Sequence, residues 1–202
     1  MSPISSITLE VPDPAAAERF YAEAFGLDDC LRLRASAAPT AGFRGFTLSL
    51  VVSQPATVDA LVGAALDAGA TTLKEVATSL WGYGGVVRAP DGAIWKVATS
   101  SKKSTGPASR TIDAMVLLVG AADVVASRRF YVDHGMSVAR SFGRRYVEFD
   151  GGPDEVKLAL YRRRALAKDA GVAPDGTGSH RIVVGSKAGP FTDPDGFAWE
   201  PV

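Results

Sequence analysis

One octapeptide that the chain carries twice constrains it most. Ala89-Pro90-Asp91-Gly92-Ala93-Ile94-Trp95-Lys96 recurs as Asp193-Pro194-Asp195-Gly196-Phe197-Ala198-Trp199-Glu200. In each copy Pro presets a turn dihedral, Asp accepts a local backbone hydrogen bond, Gly closes the turn, and an aromatic strand follows. Each copy also ends half of the chain, which makes an internal repeat the first expectation. The halves are residues 1–100 and 111–202. The intervening 101–110 reads as a linker, since Ser100 to Ser109 is rich in Ser, Lys, Gly and Pro.

Within the first half, Ile4 to Val11 alternates as a half-buried strand, and Asp13-Pro14 is a cap followed by proline at the first helical position. Ala17, Phe20, Tyr21 and Ala24 then form a helical stripe that Gly26 stops. Leu31 to Ala35 and Phe43 to Val52 read as strands around a loop from Ser36 to Gly42. Thr57 is the expected cap of a helix carrying Val58, Leu61, Val62, Ala65 and Leu66, and Gly69 ends it. Thr72 to Ala77 is a strand, and Trp81-Gly82-Tyr83-Gly84-Gly85 reads as a glycine-rich loop before the first Pro-Asp-Gly strand.

The second half restarts this pattern. After a strand at Ile112 to Val119, Ala122 or Asp123 caps a helix whose inner stripe is Ser127, Phe130, Tyr131 and His134. Arg129-Phe130-Tyr131 answers Arg19-Phe20-Tyr21, and Gly135-Met136 answers Gly26-Leu27. Three strands follow near Ser137 to Phe142, Arg145 to Phe149 and Val156 to Tyr161. Arg164 to Ala170 is a short helical turn, Gly176 to Gly178 a loop, and His180 to Gly185 a strand leading to the second Pro-Asp-Gly.

Composition excludes some classes of function. Of 202 residues, 47% are hydrophobic, enough for a sizeable core, and 22 basic residues cancel 22 acidic ones. Without a broad basic face the chain is not expected to bind nucleic acid. Arg162-Arg163-Arg164, the densest basic cluster, reads as a solvated strand end. The single cysteine, Cys30, cannot form an internal disulfide, and beside Asp29 it reads as a small apolar residue at a strand start. With no cationic leader and no apolar run near the ~20 residues of a membrane helix, a cytoplasmic protein without membrane contact is expected. Asp28-Asp29 and Asp154-Glu155 read as solvated turns.

The strand-Pro-Asp-helix opening with Arg-Phe-Tyr and Gly-Leu, the Trp-Gly-Tyr-Gly-Gly stretch, and the terminal Pro-Asp-Gly strand together resemble the glyoxalase/bleomycin resistance/dioxygenase family, the vicinal oxygen chelate superfamily. The resemblance implies an α+β fold of tandem βαβββ modules, with curled mixed sheets around a concave pocket. The duplication would let one chain make a pairing that other members often make as dimers. The halves are trimmed differently. The first lacks room for a hairpin between Ala35 and Phe43, and the second lacks room for a helix between Gly185 and Phe191.

The resemblance also implies a divalent metal held by His, Gln or Glu on the first and last strands of a module. By motif these positions fall on Ser6, Ala114, Lys96 and Glu200. A four-module alignment adds Gly45, Ala159 and Arg181, and a one-residue slip adds His180. Only Glu200 and His180 are ligand types for a cation that needs three or four N or O donors. Lys96 would repel a metal; it is expected to pair with Glu200, to hold an anionic ligand, or to end its strand in solvent. His134 suits a helix C-terminus. Trp81 and Tyr83 are candidates for lining a pocket, whereas Trp95 and Trp199 are candidates for the core. No Ser/His/Asp pattern or phosphate loop is visible.

The expected function is therefore metal-independent binding of a small organic molecule between curled sheets, through Trp81, Tyr83, Lys96, His180 and Glu200, with no cofactor and with a possible homodimer. The alternative is a metal-dependent lyase, isomerase or dioxygenase, with Glu200 and His180 as residual ligands.

Overall fold

The computed structural model describes residues 4–27, 31–152 and 155–202. Cys30, the Asp28-Asp29 turn and Asp154 lie outside them. The elements run β1 (Ile4–Val11), α1 (Pro14–Ala24), β2 (Leu31–Ala35), β3 (Thr40–Gly42), β4 (Phe46–Val51), α2 (Pro55–Asp67), β5 (Thr71–Ser79), β6 (Gly82–Arg88) and β7 (Ile94–Thr99). They continue with β8 (Ala114–Ala121), α3 (Val124–Asp133), β9 (Val138–Phe142), β10 (Tyr146–Phe149), β11 (Lys157–Arg162), α4 (Arg163–Ala170), β12 (Gly176–Gly178), β13 (Ile182–Ser186), β14 (Phe191–Thr192) and β15 (Ala198–Glu200).

Neither sheet belongs to one half of the chain. The large sheet, in the order β5-β6-β7-β4-β8-β11-β10-β9, joins the end of the first half to the start of the second. The small sheet, β14-β15-β13-β1-β2, joins the chain's beginning to its end. Two of the seams are equivalent. β4 runs antiparallel to β8 with Ser49 opposite Val116, and β1 runs antiparallel to β13 with Ser6 opposite Gly185. Each seam strand then takes a parallel neighbour, β7, β11, β2 or β15. Four modules are thus paired crosswise within a single chain.

The two missing pieces are where the sequence places them. β1 pairs directly with β2, and no helix separates β13 from β14. Instead of a hairpin, the chain after β2 gives β3, which joins β12 in a two-stranded clip.

The alternation of apolar positions decides which face each strand buries. Ile7, Leu9 and Val11 of β1, Leu48 and Leu50 of β4, Trp95 and Val97 of β7, and Leu117 and Val119 of β8 enter one main core between the sheets and helices α1 to α3. Asp13 caps α1 by accepting from Ala16, and Asp123 caps α3 by accepting from Val125 and Ala126. The hydroxyls of Tyr21 and Tyr131, the matching residues of the Arg-Phe-Tyr repeats, reach the two Pro-Asp-Gly turns. Tyr21 donates to Asp91 at 2.6 Å, and Tyr131 donates to Asp193. Burial raises both phenols well above their usual pKa, and the carboxylates raise them further, so both remain donors.

Two local expectations are corrected. Helix α2 starts at Pro55 rather than after Thr57, because proline fills the first position and Gln54 takes the cap site without a side-chain bond. The Gln54 side chain instead pins the linker, accepting from the backbone of Thr105 and Gly106 and donating to the Pro107 carbonyl. The expected glycine-rich loop is mostly strand β6. Its glycines are required by close approach, since a Cβ would come within 1.9 Å of the Thr99 carbonyl at Gly82 and 2.7 Å of the Val97 carbonyl at Gly84. Among the described residues no helix is long and apolar enough to cross a membrane.

Candidate functional site

The side chains that leave the main core face outward, and on the large sheet they lie beneath helix α4. Leu166, Ala167 and Ala170 of α4 form a second, smaller core with Val86, Ile94 and Phe43, and Leu118 and Tyr161 pack against it. An eight-residue helix is ~12 Å long. Yet α4 begins directly after β11, and Gly171 at its end packs against Leu73 and Lys74 of β5, five strand spacings or ~24 Å away on a flat sheet. The sheet must therefore curl toward α4, which spans its concave side like a chord.

The cross-strand register places Val86, Lys96, Ser49, Val116 and Lys157 in one row under this helix. Lys96 Nζ donates to Asp169 of α4 at 2.7 Å, with both side chains about a third or more exposed. The helix leaves a cleft on each flank. One, of about 230 Å³, is lined by Lys74, Trp81, Gly84, Lys96 and Asp169 among others. The other, of about 530 Å³, is lined by Arg44, Arg88, Ile94, the β3 segment and the chain after α4.

No family model and no curated protein sequence matches the chain. Solved structures do. The whole chain superposes on glyoxalase I from Zea mays with a TM-score of 0.65 at 14% identity, covering 92% of that chain. Two mutants of the maize enzyme give TM-scores of 0.63 and 0.64 at 15% and 13% identity, again over 100% of this chain. The chain has the glyoxalase fold. At such identities the likeness is one of architecture, and the chemistry must be argued from the residues.

In this glyoxalase fold the positions that the resemblance gives to metal ligands can now be read from the register. Ser6, Lys96 and Glu200 keep their places in the two equivalent rows. Ala114, Gly45, Ala159 and Arg181 do not: Val116, Ser49, Lys157 and Gly185 stand there instead. Each misplacement is by an even number of residues. The face was therefore read correctly, and only the position along the strand slipped. The four ligand-equivalent positions of the large-sheet row hold two ammonium groups, a hydroxyl and a valine, and do not fit a divalent cation. In the small-sheet row Ser6 and Gly185 accompany Glu200, whose carboxylate accepts two bonds from Arg34 at 2.7 and 3.1 Å. That pairing lowers the Glu200 pKa and occupies both of its oxygens. Among the described residues no three His, Cys, Asp or Glu side chains gather as a metal site.

The five candidate binding residues separate. Lys96 and Glu200 do not pair with each other, because they lie in different sheets and each has its own partner. Trp81, at the β5–β6 turn, is 83% exposed and borders the smaller cleft. Tyr83 also borders that cleft, while its hydroxyl is committed to Asp59 of α2, to which it donates. His180 is a fastener: its ring stacks on Phe197 at 4.1 Å, and its nitrogens lie against the carbonyls of Arg44 and Asp195. His134 stacks on Phe130, and its Nδ1 lies 2.8 Å from the Phe130 carbonyl.

Arg44 was missed from the sequence, although it occupies in its own module the place of His180. Arg44 precedes Gly45 as His180 precedes Arg181, and both following residues have positive φ, 87° and 56°. Arg44 Nη2 donates to the Asp91 carbonyl at 2.6 Å, as His180 Nε2 lies against that of Asp195 at 3.2 Å. Aligning the module openings Arg44-Gly45 and His180-Arg181 would have exposed the equivalence. Asp169 had no comparable signal, because α4 has no counterpart in the other modules.

Proposed function

We propose that the chain is a member of the glyoxalase/bleomycin resistance/dioxygenase family that binds a small organic acid, without a metal, in the cleft beside Trp81 and Lys96. The observation that carries this reading is the row under α4. Where the resemblance implies metal ligands, the curled sheet offers the ammonium of Lys96 with Ser49, Val116 and Lys157. A fixed cation supplies the positive charge that a metal would have supplied, and it attracts a carboxylate directly. Trp81 adds an exposed aromatic face at the rim, a costly group to leave in water and a good platform for a planar ligand. Asp169 holds Lys96 in place and competes with the ligand, which favours weak, reversible binding over capture. The same reading places the protein in the cytoplasm, alone or as a homodimer, without nucleic acid or membrane partners.

Thermal unfolding with a panel of aromatic carboxylic acids, together with elemental analysis of the purified protein, tests this. At least one acid should raise Tm, and Trp81→Ala, which removes no core packing, should weaken its binding about 2- to 10-fold, the worth of one aromatic contact. A stoichiometric divalent metal whose removal abolishes the response would overturn the reading in favour of the metal-dependent enzyme.

A further inference from the structure

The larger cleft, on the other flank of α4, asks for a ligand of different chemistry. Arg44 and Arg88 both line it, and Asp175 is the sole carboxylate among its described lining residues. Arg44 is more than half buried, and this burial pushes its guanidinium pKa down. Nearby Arg181 and Arg88 add to that effect, against the opposing pull of Asp91. Asp91 already accepts from Tyr21 and from the Ala93 amide. Of the five N–H donors on Arg44, one serves the Asp91 carbonyl. The equivalent fastening in the other module is made by the smaller imidazole ring of His180, so closing the turn does not require a guanidinium.

Two more groups in this corner are incompletely satisfied. Thr40 Oγ1, on the β3 wall of the cleft, and Arg181 Nε, nearby, are both buried without a hydrogen-bond partner. A desolvated cation among like charges, with spare donors in a cleft of about 530 Å³, is held at a cost that an anion would offset.

We infer that the cleft between the β3–β12 clip, the first Pro-Asp-Gly turn and the end of α4 is a second binding site, for a compact anion bearing a carboxylate or phosphate group held by Arg44 and Arg88. Arg44, fixed by its bond to Asp91 and by the seat that Gly92 leaves for it, presents the planar fork that such oxyanions match. Arg88, exposed on β6, closes on the anion from the rim.

The probes are inorganic phosphate and succinate, neither of which has a ring for Trp81, and a response lost in Arg88→Ala but kept in Lys96→Ala belongs to this cleft and not to the one beside Trp81. Tm should rise saturably with at least one of them, the stronger response naming the group. In spectra that resolve arginine Nε–H, the signals of Arg44 and Arg88 should move. Arg88→Ala, which leaves the core intact, should weaken the response roughly tenfold, the worth of one charge-assisted contact. Arg144→Ala, in the separate arginine cluster near α3, should leave it unchanged. The inference fails if neither anion raises Tm, if Arg88→Ala responds as the parent does, or if Arg144→Ala removes the response.

Discussion

The two Pro-Asp-Gly turns share a backbone path and a buried Trp but differ in the side chains around them: Asp91 accepts from the Ala93 amide, whereas the matching Phe197 amide donates to Asp193, which is buried at the place of Ala89. Gly92 and Gly196 have nearly the same φ, 89° and 91°. Trp95 and Trp199 are both buried, each beside the tyrosine of an Arg-Phe-Tyr repeat. In both turns a side chain from the opening of the same module lies against the central Asp carbonyl. Against this shared frame stand two further exchanges, Arg44 for His180 and Lys96 for Glu200. In the second turn His180 lies against two carbonyls and stacks on Phe197, which completes the local structure. In the first, Arg44 and Lys96 leave positive charge on either flank of α4. The difference teaches that repetition kept the scaffold while the charges at its ends diverged, and the unmatched charges of one copy are those on which the proposed binding rests.

The strongest way to break this equivalence is to truncate its core. Trp95→Ala and Trp199→Ala should each cost about 3–5 kcal/mol in urea unfolding, the usual loss for a buried Trp. A large loss at one position alone would show that the copies do not share a structural role. Next come the turn glycines. Gly92→Ala and Gly196→Ala should each cost about 1–2 kcal/mol, because both residues occupy left-handed backbone. Gly92→Ala should cost more, since its Cβ would meet Arg44 Nη2 at 2.7 Å, whereas that of Gly196 would meet His180 Nε2 at 3.2 Å. Gly92→Ala should also blunt the response to phosphate or succinate by displacing Arg44.

The charged strand ends should have the smallest effects. Lys96→Ala should cost about 0.2–1 kcal/mol, less at high salt, because its partner Asp169 is partly exposed. For Glu200 the prediction concerns pH. Arg34 lowers its folded pKa, so its contribution is present above the unfolded carboxylate value of about 4.3 and is lost as pH falls through the lower folded value. Glu200→Gln should flatten that acid limb of the stability curve by removing the contribution at neutral pH, a small loss for so exposed a pair, and should leave stability below the folded pKa unchanged.

Much of the fold was legible because it rests on short-range rules. Asp13-Pro14, the Ala17 to Ala24 stripe and Gly26 specify a helix locally, and the alternation through Trp95 and Trp199 fixes which side of each strand is buried. Even the misassigned ligand positions, such as Ala114 for Val116, fell on the correct face, because face depends on period and position along the strand depends on a neighbour. The site was less legible. Trp81 and Lys96 do border one cleft, but the residues that shape the clefts, Asp169 and Arg44, come from elements whose place is set by long-range packing. His180 looked like a ligand by type and serves as a fastener because of where Phe197 and two carbonyls lie.

By itself, then, the sequence determined four strand-and-turn modules, their buried faces and the opposite charges that end the two repeated strands. Only the tertiary structure decided which modules pair. Parallel and antiparallel seams are made between strands far apart in the chain, and no local propensity encodes that choice. It also decided that α4 crosses the concave sheet. A short helix with Leu166, Ala167 and Ala170 on one side carries little specificity until a curled surface exists for it to bury them against. Once it does, Lys96 and Arg44 lie on opposite flanks of the same helix, and the two clefts follow.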